Sequence, residues 1–275
     1  MGWKEFFFRG MKKAQSVVDA NQCLLQEIES VIEEIRSEYY TTDSIEIVLN
    51  DKLPINEGEV DFNNDPYKVV IGVAGCNERQ DLLDSEWITL KNTIVHELTH
   101  VKNRVEMSKG TREKLSASIH SLPFFAMNLI DEYSAYFAAD DKFKQVRVMS
   151  EEIDVQKAHR AFWFSKNVTR LSAEMRYSAY YNNCTAVIVH SFRTKNFPSI
   201  PELYAGYNDM CRDLMGILSK YNSKMPLNYD EYERAGKELW GALLQMVPIE
   251  YQQEFKSNVG IKFRPELVSG TGKKI

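Results

Sequence analysis

Thr93-Ile94-Val95-His96-Glu97-Leu98-Thr99-His100 is the stretch around which the rest of the 275-residue chain is organised. On a helix, positions i and i+4 lie one turn apart on the same face, so His96 and His100 can aim their ring nitrogens at one ion. A zinc ion left with an open position lowers the pKa of its bound water towards ~7, and the intervening Glu97 is then the general base that takes the water's proton. The pattern specifies a hydrolytic site. The chain has only five histidines. From ordinary residue frequencies, the accidental count of such a pattern is on the order of 0.01. The plainer alternative is a surface helix that carries His and Glu by coincidence.

Winding residues 87 to 105 at about 100° per residue puts Trp87, Leu90, Ile94, Leu98, Val101 and Val105 on one stripe, the expected core face. His96 and His100 fall on the other side, among Thr89, Asn92, Thr93 and Asn103, small or neutral polar residues that suit a cleft wall. Asp84-Ser85-Glu86 supplies a capping residue and an acidic first turn. The motif helix is therefore expected to run from there to about Met107, with Ser108-Lys109-Gly110-Thr111 as its stop and a further connection over Ser116 to Ser121. Upstream, Ile45 to Leu49 and Tyr67 to Gly75 read as strands, separated by a loop from Asn56 to Pro66 rich in Asn, Asp, Glu and Gly. Gly72 and Gly75 suit close backbone approach or a sheet edge, and an edge strand beside the motif helix would accept an extended peptide by strand addition.

A catalytic zinc site needs a third protein ligand, and four residues compete for the place. Glu106, six residues after His100, would need a break in the helix, and Asn103 stands where such a break takes Gly. His120 lies in a short connection. Asp131 and Glu132 lie on the next helix, expected from Pro123 to about Lys144. Glu132 shares its face with Phe125, Leu129, Tyr136, Ala139 and Phe143, an apolar stripe that carries the carboxylate into the core. A carboxylate buried there needs a cation to meet it, either zinc or an Arg or Lys. Asp131 lies about 100° round the helix, beside Lys142 and Ser134, where a solvated ion pair or a bond to a ligand histidine would suit it. For the donor that faces a developing oxyanion, Tyr133, Tyr136, His120, His159, His190 and Tyr180 are all available, and the sequence does not choose among them.

Thr93 to Val101, followed by Glu132-Tyr133-Ser134-Ala135, resembles the zincin metallopeptidases of the glutamate-ligand type, the gluzincins. In these, H-E-x-x-H precedes E-x-x-A on a later helix. Lys102 stands where that pattern usually has an apolar residue. Glu132 to Ala139 is also similar to the E-x-x-A-N-x-F-A of the ImmA/IrrE-type intracellular peptidases, with Tyr136 in place of Asn and Phe137 one residue early. The resemblance covers roughly Ile45 to Phe143. It implies zinc ligation by His96, His100 and Glu132, Glu97 as base, and a metallopeptidase that acts on a peptide or protein. A zincin scaffold kept for regulation or for binding one partner, with narrow or no proteolysis, is the competing expectation.

Outside this region, residues 11 to 40 read as one amphipathic helix. Glu151 to Asn182, Thr185 to Arg193, Pro201 to Tyr221, Tyr229 to Met246 and Ile249 to Lys256 read as helices separated by Pro, Asn, Gly and Ser. The expected fold is α+β and predominantly helical. It comprises an N-terminal helix over 1–43, a zincin-like core over 44–146 with a small sheet on the motif helix, a helical subdomain over 147–268, and a flexible tail over 269–275. A net charge of -5 without a long basic run argues against nucleic acid as a partner. Cys23, Cys76, Cys184 and Cys211 are too scattered for a metal knuckle or a disulfide framework. Phe6-Phe7-Phe8 is too short for a signal-peptide core, and Leu122 to Ile130 is too short to span a bilayer, so a soluble, cytoplasmic protein is expected.

Overall fold

Val69 and Ile71 are fully buried on either side of half-buried Val70, the two-residue period of a strand with one face turned to a core, and Gly72 and Val73 continue the burial. Around them a computed structural model shows an α+β, mostly helical protein. It describes residues 24–34, 45–76, 81–119, 121–143, 173–195 and 205–245. The flanks of the amino-terminal helix, His120, His159, the helices expected within 151–172 and 249–256, and the tail lie outside the described residues. The chain groups into two units, Met1–Lys102 with Ala138–Val146, and Asn103–Phe137 with Arg147–Ile275.

In the first unit, helix α1 (residues 24–34) buries Leu24, Ile28, Val31 and Ile32, the three-and-four spacing of an amphipathic stripe. The sheet holds β1 (Ile45–Asn50), β2 (Gly58–Asp61) and β3 (Tyr67–Gly72) in the order β1-β3-β2. β1 lies parallel to β3, with Ile45 opposite Tyr67 and Asn50 opposite Gly72, and β2 lies antiparallel to β3, with Gly58 opposite Ile71. Two expectations are corrected here. The segment 56–66 is not all loop, because it contains β2; and the strand at 67–72 is central rather than an edge. Gly-Glu-Val-Asp has little strand propensity of its own, so β2 exists through its pairing with β3. Gly72 does mark close backbone approach: a Cβ there would collide with the carbonyl oxygens of Pro54, Glu57 and Leu53, and its own N–H donates to Glu57 at 2.9 Å. Gly75, with φ +78°, turns the chain just beyond the strand.

Helix α2 (Asp84–Glu106) begins where Glu86 accepts a hydrogen bond from the Leu83 N–H at 2.8 Å, a side chain reaching back to an otherwise unpaired donor. Leu90, Ile94, Leu98 and Val101 are fully buried, as the stripe predicts, whereas Trp87 and Val105 are half-buried. The opposite face differs from expectation. Asn92, Thr93 and Asn103 are buried rather than lining an open wall, and Val95, Glu97 and Thr99 are buried with them. Thr93 donates to the carbonyl of Ile55 at 3.0 Å, which ties this face to the loop that precedes β2.

The second unit is helical throughout its described part. It holds the last turn of α2, α3 (Lys109–Ala117), α4 (Leu122–Phe143) as far as Phe137, α5 (Ala173–Thr194), α6 (Ala205–Asn222) and α7 (Tyr229–Gln245). The stop expected at 108–111 is present, since α2 ends at Glu106, but α3 starts within the same residues. Ser108 caps it by accepting from the Thr111 N–H, so the residues that end α2 open the next helix. The break expected near Asn183 and Cys184 is also absent: both are fully buried inside a continuous α5, where packing outweighs weak helix propensity. Phe125 and Leu129 of α4 share a core with Tyr180 and Ile188 of α5, Leu214 and Leu218 of α6, and Tyr232 and Leu239 of α7. No helix among the described residues is long and apolar enough to cross a membrane.

Candidate metal centre

His96 and His100 are half-buried on consecutive turns of α2, their rings edge to face with centroids 4.7 Å apart and their Nε2 atoms 3.1 Å apart. Both rings thus present the same nitrogen to one point, as the i, i+4 spacing requires. One carboxylate joins them. Glu132, half-buried on α4, offers an oxygen such that the three ligating atoms all lie within 4.8 Å of one another. Two imidazole nitrogens and a carboxylate oxygen form a donor set suited to zinc, whose tetrahedral ligands, at ~2.0–2.1 Å, stand about 3.3 Å apart. The 3.1 Å between the histidine nitrogens matches that separation.

A hydrogen bond from α5 holds one of these side chains. The Tyr181 hydroxyl of α5 donates to Glu132 Oε1 at 3.0 Å. Asn103, three residues after His100 and almost fully buried, donates through Nδ2 to Asp131 Oδ1 at 2.6 Å. This bond joins α2 to α4 beside two of the ligand positions. Burial, and then the charges of Asp131 and Glu231, push the Tyr232 hydroxyl well above its ordinary range, so it stays a neutral phenol. Ala135, one turn after Glu132, is fully buried.

Glu97 is only 6% exposed. It lies against β2, where a Cβ built on Gly58 would stand 2.7 Å from Glu97 Cγ, 2.7 Å from Oε1 and 2.9 Å from Cδ. The general-base candidate is therefore packed on strand backbone rather than standing free in a cleft.

Of the other sequence candidates, Glu106 is exposed at the end of α2 and is not part of the metal-binding group. Tyr133 is buried against Phe192 and Phe137, Tyr136 stacks on Phe192, and Tyr180 packs against Trp240, contacts that give each of these rings a place in the helical packing. His190 is buried on α5. Sequence reasoning missed Tyr181, Asn103 as a partner of Asp131, and Gly58. No local pattern links residue 181 to residue 132, 49 positions earlier. Gly58 lay inside a stretch that reads as loop, so its glycine gave no signal until β2 was known to start there. No family model, curated protein or solved structure matches the chain.

Proposed function

We propose that this chain is a zinc-dependent metallopeptidase in which His96, His100 and Glu132 hold the ion and Glu97 is the general base. The convergence of these three ligating atoms within 4.8 Å is the observation that supports it most. A zinc ion held there supplies a Lewis acid that polarises a carbonyl and makes a water acidic enough to lose its proton near neutral pH. Glu97 takes that proton and returns it to the departing amine, the acid–base work of a carboxylate kept in place by its surroundings. Tyr181 donates to Glu132 Oε1, a hydrogen bond that would help orient the carboxylate that would hold the metal. β2 is an outer strand of the described sheet and carries the residue against which Glu97 lies, so an extended peptide added to that strand would run alongside the base.

Metal analysis of the purified protein is expected to give about one zinc per chain, lost in His96→Ala. Glu97→Gln is expected to keep the metal and abolish cleavage of a broad peptide library. Cleavage retained in that variant removes Glu97 as base, and a wild-type chain that takes up no zinc sinks the proposal. Zinc without cleavage of any library member favours a zincin scaffold devoted to one partner.

A further inference from the structure

We propose that Gly58 is a positioning residue for Glu97, and that the missing side chain at this point of β2 is what sets where the base's carboxylate stands. The inference rests on the peptidase reading for its functional meaning, while the contact behind it is independent of any metal.

A glycine in a strand, here at the first position of β2, is a cost, because it orders more backbone freedom than alanine and contributes no side-chain packing. Some close approach or unusual dihedral normally explains it. Gly58 has no positive φ, unlike Gly75, so its backbone conformation is open to any residue. It pairs in ordinary register with Ile71. What remains is space, and the space is taken by Glu97. By contrast, Gly72 and Gly236 face backbone carbonyls, and Gly75, Gly110, Gly216 and Gly241 face nothing within 4 Å. Among the described glycines, only Gly58 abuts a side chain with assigned chemistry.

Which atoms are close decides how far the base is constrained. Turning the outer torsions of Glu97 moves Cδ and Oε1 but leaves Cγ where it is. The 2.7 Å approach of Cγ to an added Cβ therefore survives every rotation of the carboxylate. Only a change at the first torsion or a backbone shift relieves it, and a change of staggered well there carries the carboxylate ångströms away. Glu97 is nearly fully buried, which limits where it can go. Gly58→Ala thus moves the base without changing it chemically, and leaves His96, His100 and Glu132 as they are.

The test is a thermal double-mutant cycle on the full chain, using wild type, Gly58→Ala, Glu97→Ala and the double variant, with zinc content measured for each. Alanine alone is the better strand residue. In the Glu97→Ala background, Gly58→Ala is expected to leave Tm unchanged or raise it, whereas beside Glu97 it lowers Tm by several degrees. Peptide cleavage by Gly58→Ala is expected to fall in kcat by about 10- to 100-fold at undiminished zinc content, the cost of misplacing a reacting group by about an ångström. Equal changes of Tm in the two backgrounds, or a zinc-loaded Gly58→Ala enzyme with full kcat, overturn the assignment. If the wild type cleaves nothing while the thermal coupling is present, the peptidase reading fails and the Gly58–Glu97 constraint stands.

Discussion

Replacing Tyr181 with Phe removes a single oxygen and tests whether the Glu132 carboxylate is held for a purpose. The hydroxyl donates to Glu132 Oε1 at 3.0 Å, and the ring that carries it is half-buried, so the variant loses a hydrogen bond while keeping its packing. A hydrogen bond to a charged group contributes about 1.5–3 kcal/mol. The partners that orient metal ligands are worth about 10- to 100-fold in metal affinity, which is about 1.4–2.8 kcal/mol. The two routes agree. Competition titration against a chelating dye at neutral pH should show zinc bound about 10- to 100-fold more weakly by Tyr181→Phe, with unchanged far-ultraviolet circular dichroism. An affinity within twofold of wild type, measured beside a Glu132→Ala control that loses zinc, would falsify the idea that Tyr181 orients the ligand.

Three further outcomes follow from the second unit. Asn103→Ala and Asp131→Ala should be coupled by about 1 kcal/mol or more in a urea-unfolding cycle, because Asn103 Nδ2 donates to the Asp131 carboxylate at 2.6 Å; additive changes would remove the bond as a link between α2 and α4. Gly236→Ala should cost about 1–3 kcal/mol, since the added Cβ meets the Leu122 carbonyl oxygen at 2.5 Å, whereas Gly241→Ala, with nothing within 4 Å, should gain about 0.5–1 kcal/mol of helix propensity. The reverse order in chemical denaturation would contradict the packing of α7 on the start of α4. Burial pushes the Glu238 carboxyl up, but hydrogen bonds from Lys220 and Tyr221 outweigh it and leave it below the ordinary 4.5. A depressed carboxylate stabilises the fold fully above 4.5 and loses that effect as pH falls through its folded value. Glu238→Gln should therefore melt lower than wild type at pH 7 and match it at the acid end of that window; a gap in Tm that persists there counts against the assignment.

Helical periodicity placed the buried stripe of α2 correctly. The placing of His96 and His100 on one side of a helix depends only on the 3.6-residue period, and Leu90, Ile94, Leu98 and Val101 are buried where that period puts them. Glu132 was singled out over Asp131 by its apolar neighbours one turn away, a local property, and it is Glu132 that the structure brings near the two histidines, although both carboxylates are half-buried. The strands expected at 45–49 and 67–75 from runs of β-branched residues are found at 45–50 and 67–72, and the starts of α2 and α4 lie at or next to Asp84-Ser85-Glu86 and Pro123.

What the sequence could not supply depends on partners distant in the chain. β2 is a strand only because β3 lies beside it, so Gly-Glu-Val-Asp reads as a loop until the pairing is known. The polar face of α2 looks like a cleft wall from periodicity alone, yet Thr93 and Glu97 are buried by the loop at Ile55 and by the backbone of Gly58. Asn183 signals a helix break from its propensity, and burial in α5 overrides it. The sequence by itself determined which side chains could ligate a metal and the helical face each would occupy, because side-chain direction along a helix is a local property of the backbone. Tertiary structure alone decided that Glu132 meets the two histidines, that Tyr181 donates to it, and that a glycine leaves room for Glu97, because each of these is a distance between residues whose separation in the chain carries no geometric information.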